Sequence, residues 1–119
     1  MAPAPRQTLK CVMSLTLICA LDDVEEDAPF LAQIDGVAYS IFQVEEEYFV
    51  TEDACSHGPG SLSEGFVEDC QVECPFHHGK FDLRTGRPTA APCEVPIKVW
   101  KPIVQGGSIF IDISTPVHS

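Results

Sequence analysis

An all-β fold interrupted by one long loop excursion is what this chain predicts, and three observations predict it. Ten prolines and eight glycines punctuate the 119 residues, which favours short strands and tight turns over long helices. Apolar residues make up 45% of the chain and fall in short, partly alternating runs. No segment keeps helical periodicity for more than a turn or two, and there is no internal repeat or low-complexity tract. By length the chain is a single domain, large enough for a real core.

Residues 14–20 are rich in apolar and β-branched side chains and read as a first strand, ended by Asp22-Asp23. Residues 29–34 form a second strand, and Asp35-Gly36 is a strong hairpin turn signal. Residues 37–44 return, with Val37, Tyr39, Ile41 and Gln43 on one face. Glu45-Glu46-Glu47 turns the chain without a glycine, and residues 48–51 climb back. From 52 to 66 the pattern dissolves, broken by Gly58, Pro59, Gly60 and Gly65. Residues 71–73 and 81–83 are short extended pieces, and Thr85-Gly86 makes a turn. Pro88, Pro92 and Pro96 keep the next stretch irregular. Residues 97–103 and 108–113 form a last hairpin across Gln105-Gly106-Gly107.

The formal net charge of −11 argues against a nucleic-acid partner, which needs a basic face. Acidic runs at Asp22-Asp23, Glu25-Glu26-Asp27 and Glu45-Glu46-Glu47 fit either a solvated surface or steering toward basic partner proteins. Arg6 and Lys10 precede an apolar run at 11–21. That run is too short to span a membrane, and Ile18 spoils a signal-cleavage site before Ala20. It reads better as the first strand, after a frayed tail. Six cysteines could suggest a secreted disulfide scaffold. However, Cys11, Cys19, Cys70 and Cys93 show no framework spacing, and buried free thiols in a reducing cytoplasm are the simpler account.

The chemistry lies in two short arms, Cys55-Ser56-His57 and Cys74-Pro75-Phe76-His77. Each offers one thiolate and one imidazole, and together they make a metal-centre donor set. Structural zinc sites pair ligands as Cys-x₂₋₄-Cys and His-x₃₋₅-His, so the one-residue gap between Cys55 and His57 fits zinc poorly. No Asp or Glu stands as an obvious base for a catalytic zinc. An asymmetric [2Fe–2S] cluster fits better: one iron takes two thiolates and the other two imidazoles. Each arm would then give its Cys to one iron and its His to the other.

The pattern Cys55-x-His57-x₁₆-Cys74-Pro75-x-His77, continued by Gly79-Lys80-Phe81-Asp82 and Thr85-Gly86, resembles the Rieske iron–sulfur family. It is most similar to the soluble Rieske-type ferredoxins of bacterial aromatic-ring-hydroxylating dioxygenases, over about 14–114. The resemblance implies stacked antiparallel sheets with a cluster-binding lobe at about 54–81. Residues 9–53 and 82–115 would form the basal β-domain, with tails at 1–8 and 116–119. It also implies that Cys55 and Cys74 bind one iron and His57 and His77 the other, the histidines lying near the surface at the lobe tip. Respiratory Rieske proteins carry an extra disulfide-forming cysteine in each arm, where this chain has Gly60 and Phe76. Their cluster-side serine and tyrosine are here Gly79 and Phe81. Hydrogen bonds to cluster sulfur raise the potential, so a low potential for a Rieske centre is expected.

The family spacing selects His77 over His78 as ligand and leaves His78 to a surface or partner role. Cys70 is expected to be carried away from the arm by the strand at 71–73, and His118 to be a tail residue. The family resemblance makes Pro92 a candidate shield beside the cluster. The implied function is that of a one-electron carrier between a flavoprotein NAD(P)H reductase and the terminal oxygenase of a dioxygenase system. Such a carrier is cytoplasmic and monomeric, docks transiently, has no catalytic acid or base, and is not itself an enzyme. The oxygenase's own Rieske domain is disfavoured by length and by the few remaining histidines. A small Rieske subunit of another redox enzyme, such as a nitrite reductase, and a zinc-binding interaction module are the other readings. The aromatic substrate is not written in this chain, because a carrier never touches it.

Overall fold

The architecture follows from a computed structural model that describes residues 15–26, 28–54, 60–75, 79–90 and 95–117. Among the described residues, eleven strands make three antiparallel sheets. The middle sheet has the order β2 (Phe30–Ile34), β3 (Val37–Val44), β4 (Glu47–Glu52), β9 (Val99–Trp100). A second sheet pairs β1 (Thr16–Ala20) with β11 (Ser108–Ile111) and β10 (Ile103–Gln105). The third runs β5 (Phe66–Glu68), β6 (Gln71–Glu73), β7 (Lys80–Asp82), β8 (Pro88–Ala90). Of the two 3-10 turns among the described residues, Leu21–Asp23 follows β1 and Leu62–Glu64 leads into β5.

The middle sheet is buried on both faces, because successive strand side chains point to opposite sides. Tyr39, Ile41, Val50 and Trp100 join Ile18, Ile109 and Ile111 in one core. Phe42, Phe49 and Val99 face the other way, onto Leu62, Val72, Cys74, Phe81 and Leu83. Tyr39 and Ile41 thus share a face, as the alternation predicts, while Val37 at the strand's end is exposed. Burying a side chain such as Phe42 or Phe81 contributes about 1.5–3 kcal/mol, so this second core firmly seats the third sheet on the middle one. Tyr39 and Trp100 meet edge to face at 5.2 Å, and the Trp100 indole N–H donates to the Ile113 carbonyl at 2.9 Å.

Turn chemistry sets the hairpins. Asp35 and Gly36 have φ of 53° and 83°, the mirror-image turn that an Asp-Gly pair favours. Glu45 and Glu46 adopt φ of 50° and 72° with no glycine to ease them. There the Glu45 N–H donates to the Glu26 carboxylate at 2.7 Å.

Two expectations are corrected, and one strand is added. Residues 97–103 are not one strand: β9 ends at Trp100 and β10 begins at Ile103 in another sheet. Pro102 lacks an N–H for a ladder and marks the crossover. The stretch after Pro88 is not wholly irregular, since Pro88–Ala90 forms β8. β8 lies at the edge of its sheet and begins on its proline, one of the few strand positions that tolerates it. Residues 66–68 also pair, as β5.

Candidate metal centre

Of the four expected donors, Cys74 lies within the described residues; Cys55, His57 and His77 lie outside them, as do His78, His118, Cys11, Cys93 and Pro92. What the structure defines is how the bases of both arms are held. The first arm leaves β4 through Asp53-Ala54 and returns at Ser61, where Ala54 and Ser61 form an isolated antiparallel bridge. The second leaves β6 at Cys74 and returns at Gly79, closed by the Cys74 N–H donating to the Gly79 carbonyl at 2.8 Å.

The two bases are neighbours because β5 and β6 pair, with Phe66 opposite Glu73. The approach is tightest at Gly65, where a Cβ would stand 2.1 Å from the Glu73 carbonyl oxygen. Only a residue without a side chain lets the chain leaving the first arm lie against the entry to the second.

Cys74 is wholly buried, 0% exposed, in the core of Leu62, Val72 and Phe81. A buried thiolate is expensive unless a cation holds it. A metal would supply that cation, so the site of Cys74 suits ligation. The chemistry of the donor set, two thiols and two imidazoles in two sequence segments whose described ends adjoin, likewise fits an asymmetric iron–sulfur group.

Sequence reading missed Asp53, which is 7% exposed. Its Oδ1 accepts from the Ser40 hydroxyl at 2.6 Å and from the Ser63 N–H at 2.8 Å. Its Oδ2 accepts from the Ser61 hydroxyl at 2.6 Å, and its carbonyl from the Leu62 N–H at 2.8 Å. Burial pushes the carboxyl's pKa up, but the hydrogen bonds from Ser40, Ser61 and Ser63 outweigh this and hold it below the ordinary value. The stabilisation is therefore complete above the unfolded value of about 3.9 and is lost as pH falls through the lowered one. The one available signal in the sequence was an acid directly before an arm, with Ser61-x-Ser63 after it.

Cys70 sits in the turn between β5 and β6, at the end of β6 away from Cys74. It is half-buried rather than buried, with φ of 59°. Burial raises its pKa, against the opposing pull of Arg84. Cys19 is buried as expected, and burial, helped by Asp23, pushes its thiol to about 11. Arg84 forks onto Glu47 at 2.7 and 3.3 Å and lies 5.3 Å over the Phe49 ring, tying the third sheet to β4. Among the described residues no helix is long and apolar enough to cross a membrane.

Residues 14–101 match the Rieske [2Fe-2S] domain. The ferredoxin component of the p-cumate 2,3-dioxygenase system of Pseudomonas putida is 46% identical over 98 residues, which is 81% of this chain and 83% of that protein. Among solved structures, the Sphingomonas yanoikuyae B1 ferredoxin superposes with a TM-score of 0.80 at 33% identity, over 83% of this chain and 98% of that one. A ferredoxin seen in complex with the oxygenase of carbazole 1,9a-dioxygenase gives 0.78 at 32%, over 85% and 94%. A putative nitrite reductase small subunit gives 0.73 at 20% identity, over 83% and 98%, a likeness of fold alone.

Proposed function

The chain belongs to the Rieske [2Fe-2S] family, and from that membership we propose that it is the one-electron carrier of an aromatic-ring-hydroxylating dioxygenase system. It would accept electrons from a flavoprotein NAD(P)H reductase and deliver them to the terminal oxygenase. One observation carries the reading: two loop bases, each leading into a Cys/His arm, are held side by side by β5, β6 and Gly65. The names of its relatives agree, since they are ferredoxin components of such systems and one was solved with its oxygenase.

In this reading Cys55 and Cys74 hold one iron and His57 and His77 the other. When bound, the cluster supplies a one-electron couple. The chain's own residues do the rest. Leu62, Val72 and Phe81 exclude water from the Cys74 side. The Gly79 carbonyl fixes the Cys74 backbone. Gly79 and Phe81 bring no hydroxyl to the sulfurs, so these positions do not favour the reduced state. The midpoint is expected near the low end of the class range of about −150 to +300 mV. Residues at about 54–81 serve as the cluster lobe, with 9–53 and 82–115 as its base. The carrier works as a cytoplasmic monomer that docks transiently, burying less than about 1,200 Å².

Reconstitution tests the function. With NADH, a reductase and an oxygenase of such a system, product formation should depend on this protein. The acidic surface should make the rate fall with salt, as the Debye length shrinks from about 10 Å at 0.1 M to about 3 Å at 1 M. A rate unchanged across that range would remove electrostatic steering, and product formation equal without the protein would remove the carrier role.

A further inference from the structure

We propose that Asp53 is a positioning residue for the first arm: its buried carboxylate ties both ends of the loop carrying Cys55 and His57 to strand β3. The inference rests on the ligand reading above. Its support is geometric. Ser40 lies in the middle of β3, fully buried, and donates to Oδ1 at 2.6 Å across thirteen positions of sequence. Ser61 and Ser63 lie just past the loop and reach the same carboxylate at 2.6 and 2.8 Å. The Ser61 and Ser63 hydroxyls are themselves 2.8 Å apart. Asp53 in turn donates its own N–H to the Ala38 carbonyl at 3.1 Å. Departure and return of the loop are thus fixed by one side chain to the most central strand pair of the molecule.

A cap for the 3-10 turn at Leu62–Glu64 would need only the Ser63 N–H bond. It would not explain the buried Ser40 bond. Ser40 has no reason of hydrophobicity to lie at 0% exposure; a hydroxyl is placed there to hold a polar partner. Full satisfaction of such a network specifies one geometry, and its partial loss is costly.

The test uses the cluster-loaded protein and three variants: Asp53→Ala, Asp53→Asn and Ser40→Ala. Two readouts report on the arm: the rate of cluster release to a chelator and the line shape of the reduced-state EPR signal. Trp100 fluorescence reports on the other core, to which Asp53 does not belong. Asn can keep the Oδ1 acceptor for Ser40 and Ser63 and offer an N–H to the Ser61 hydroxyl. Asp53→Ala should speed release about tenfold or more and broaden the signal, with Ser40→Ala between it and the wild type. Asp53→Asn should restore both readouts, and Trp100 fluorescence should stay unchanged throughout. Release within about twofold of wild type in Asp53→Ala would overturn the proposal. So would Asn behaving like Ala, or a Trp100 change that matches the arm's. A wild-type protein holding no cluster would instead overturn the ligand reading beneath it.

Discussion

Replacing His77 by Ala should bleach the protein and abolish its reduced-state EPR signal, while replacing His78 by Gly should leave both intact. The two histidines are adjacent in sequence, between Cys74 and Gly79, whose backbones are hydrogen-bonded to each other. The Cys74-x-x-His77 spacing distinguishes them. Loss of a residue that orients a metal ligand costs about 10–100-fold in affinity, and loss of a ligand should exceed that. Iron content per chain and EPR of the dithionite-reduced protein check the result. The reverse outcome, with His78→Gly colourless and His77→Ala intact, would move the ligand by one position.

Gly65→Ala should strongly destabilise the fold beside the arms. Its Cβ would lie 2.1 Å from the Glu73 oxygen, 3.2 Å from the Glu73 carbonyl carbon and 3.3 Å from the Leu62 oxygen. All three are backbone atoms, so no side chain can swing aside. Overpacking of this kind costs on the order of 3 kcal/mol, against a total stability of about 5–15 kcal/mol for a domain. The melting temperature should fall by about 10 °C, with cluster loading falling in step because the Glu73–Cys74 entry is displaced. Gly36→Ala is the control: nothing lies within 4 Å of its Cβ, and only its φ of 83° resists. Its cost should stay near about 1 kcal/mol. Thermal unfolding by circular dichroism separates them, and a Gly65→Ala protein melting within about 2 °C of wild type would contradict the close approach.

The β architecture was legible wherever one short stretch carried its own signal. Asp35-Gly36 announced a hairpin, and the alternation in 37–44 placed Tyr39 and Ile41 together. The Rieske domain was legible for the same reason, since two short Cys/His motifs need no tertiary context to be noticed. What escaped depends on neighbours far away in sequence. β5 and β8 are three-residue strands whose only warrant is the partner beside them. The change of sheet at Pro102 reads locally as one continuous strand. Asp53 looks like an ordinary surface acid until the fold brings Ser40 beneath it. The half-buried state of Cys70 likewise follows from its place in the turn between β5 and β6.

An EPR-monitored redox titration of the purified protein tests the central claim most directly. The account predicts uptake of one electron per chain, a rhombic Rieske-type signal with two directly bound imidazole nitrogens in its pulsed spectrum, and a midpoint in the lower part of the class range. A colourless, zinc-bearing protein that takes up no electron, or a signal from a cluster with four thiolates and no nitrogen ligand, would contradict it.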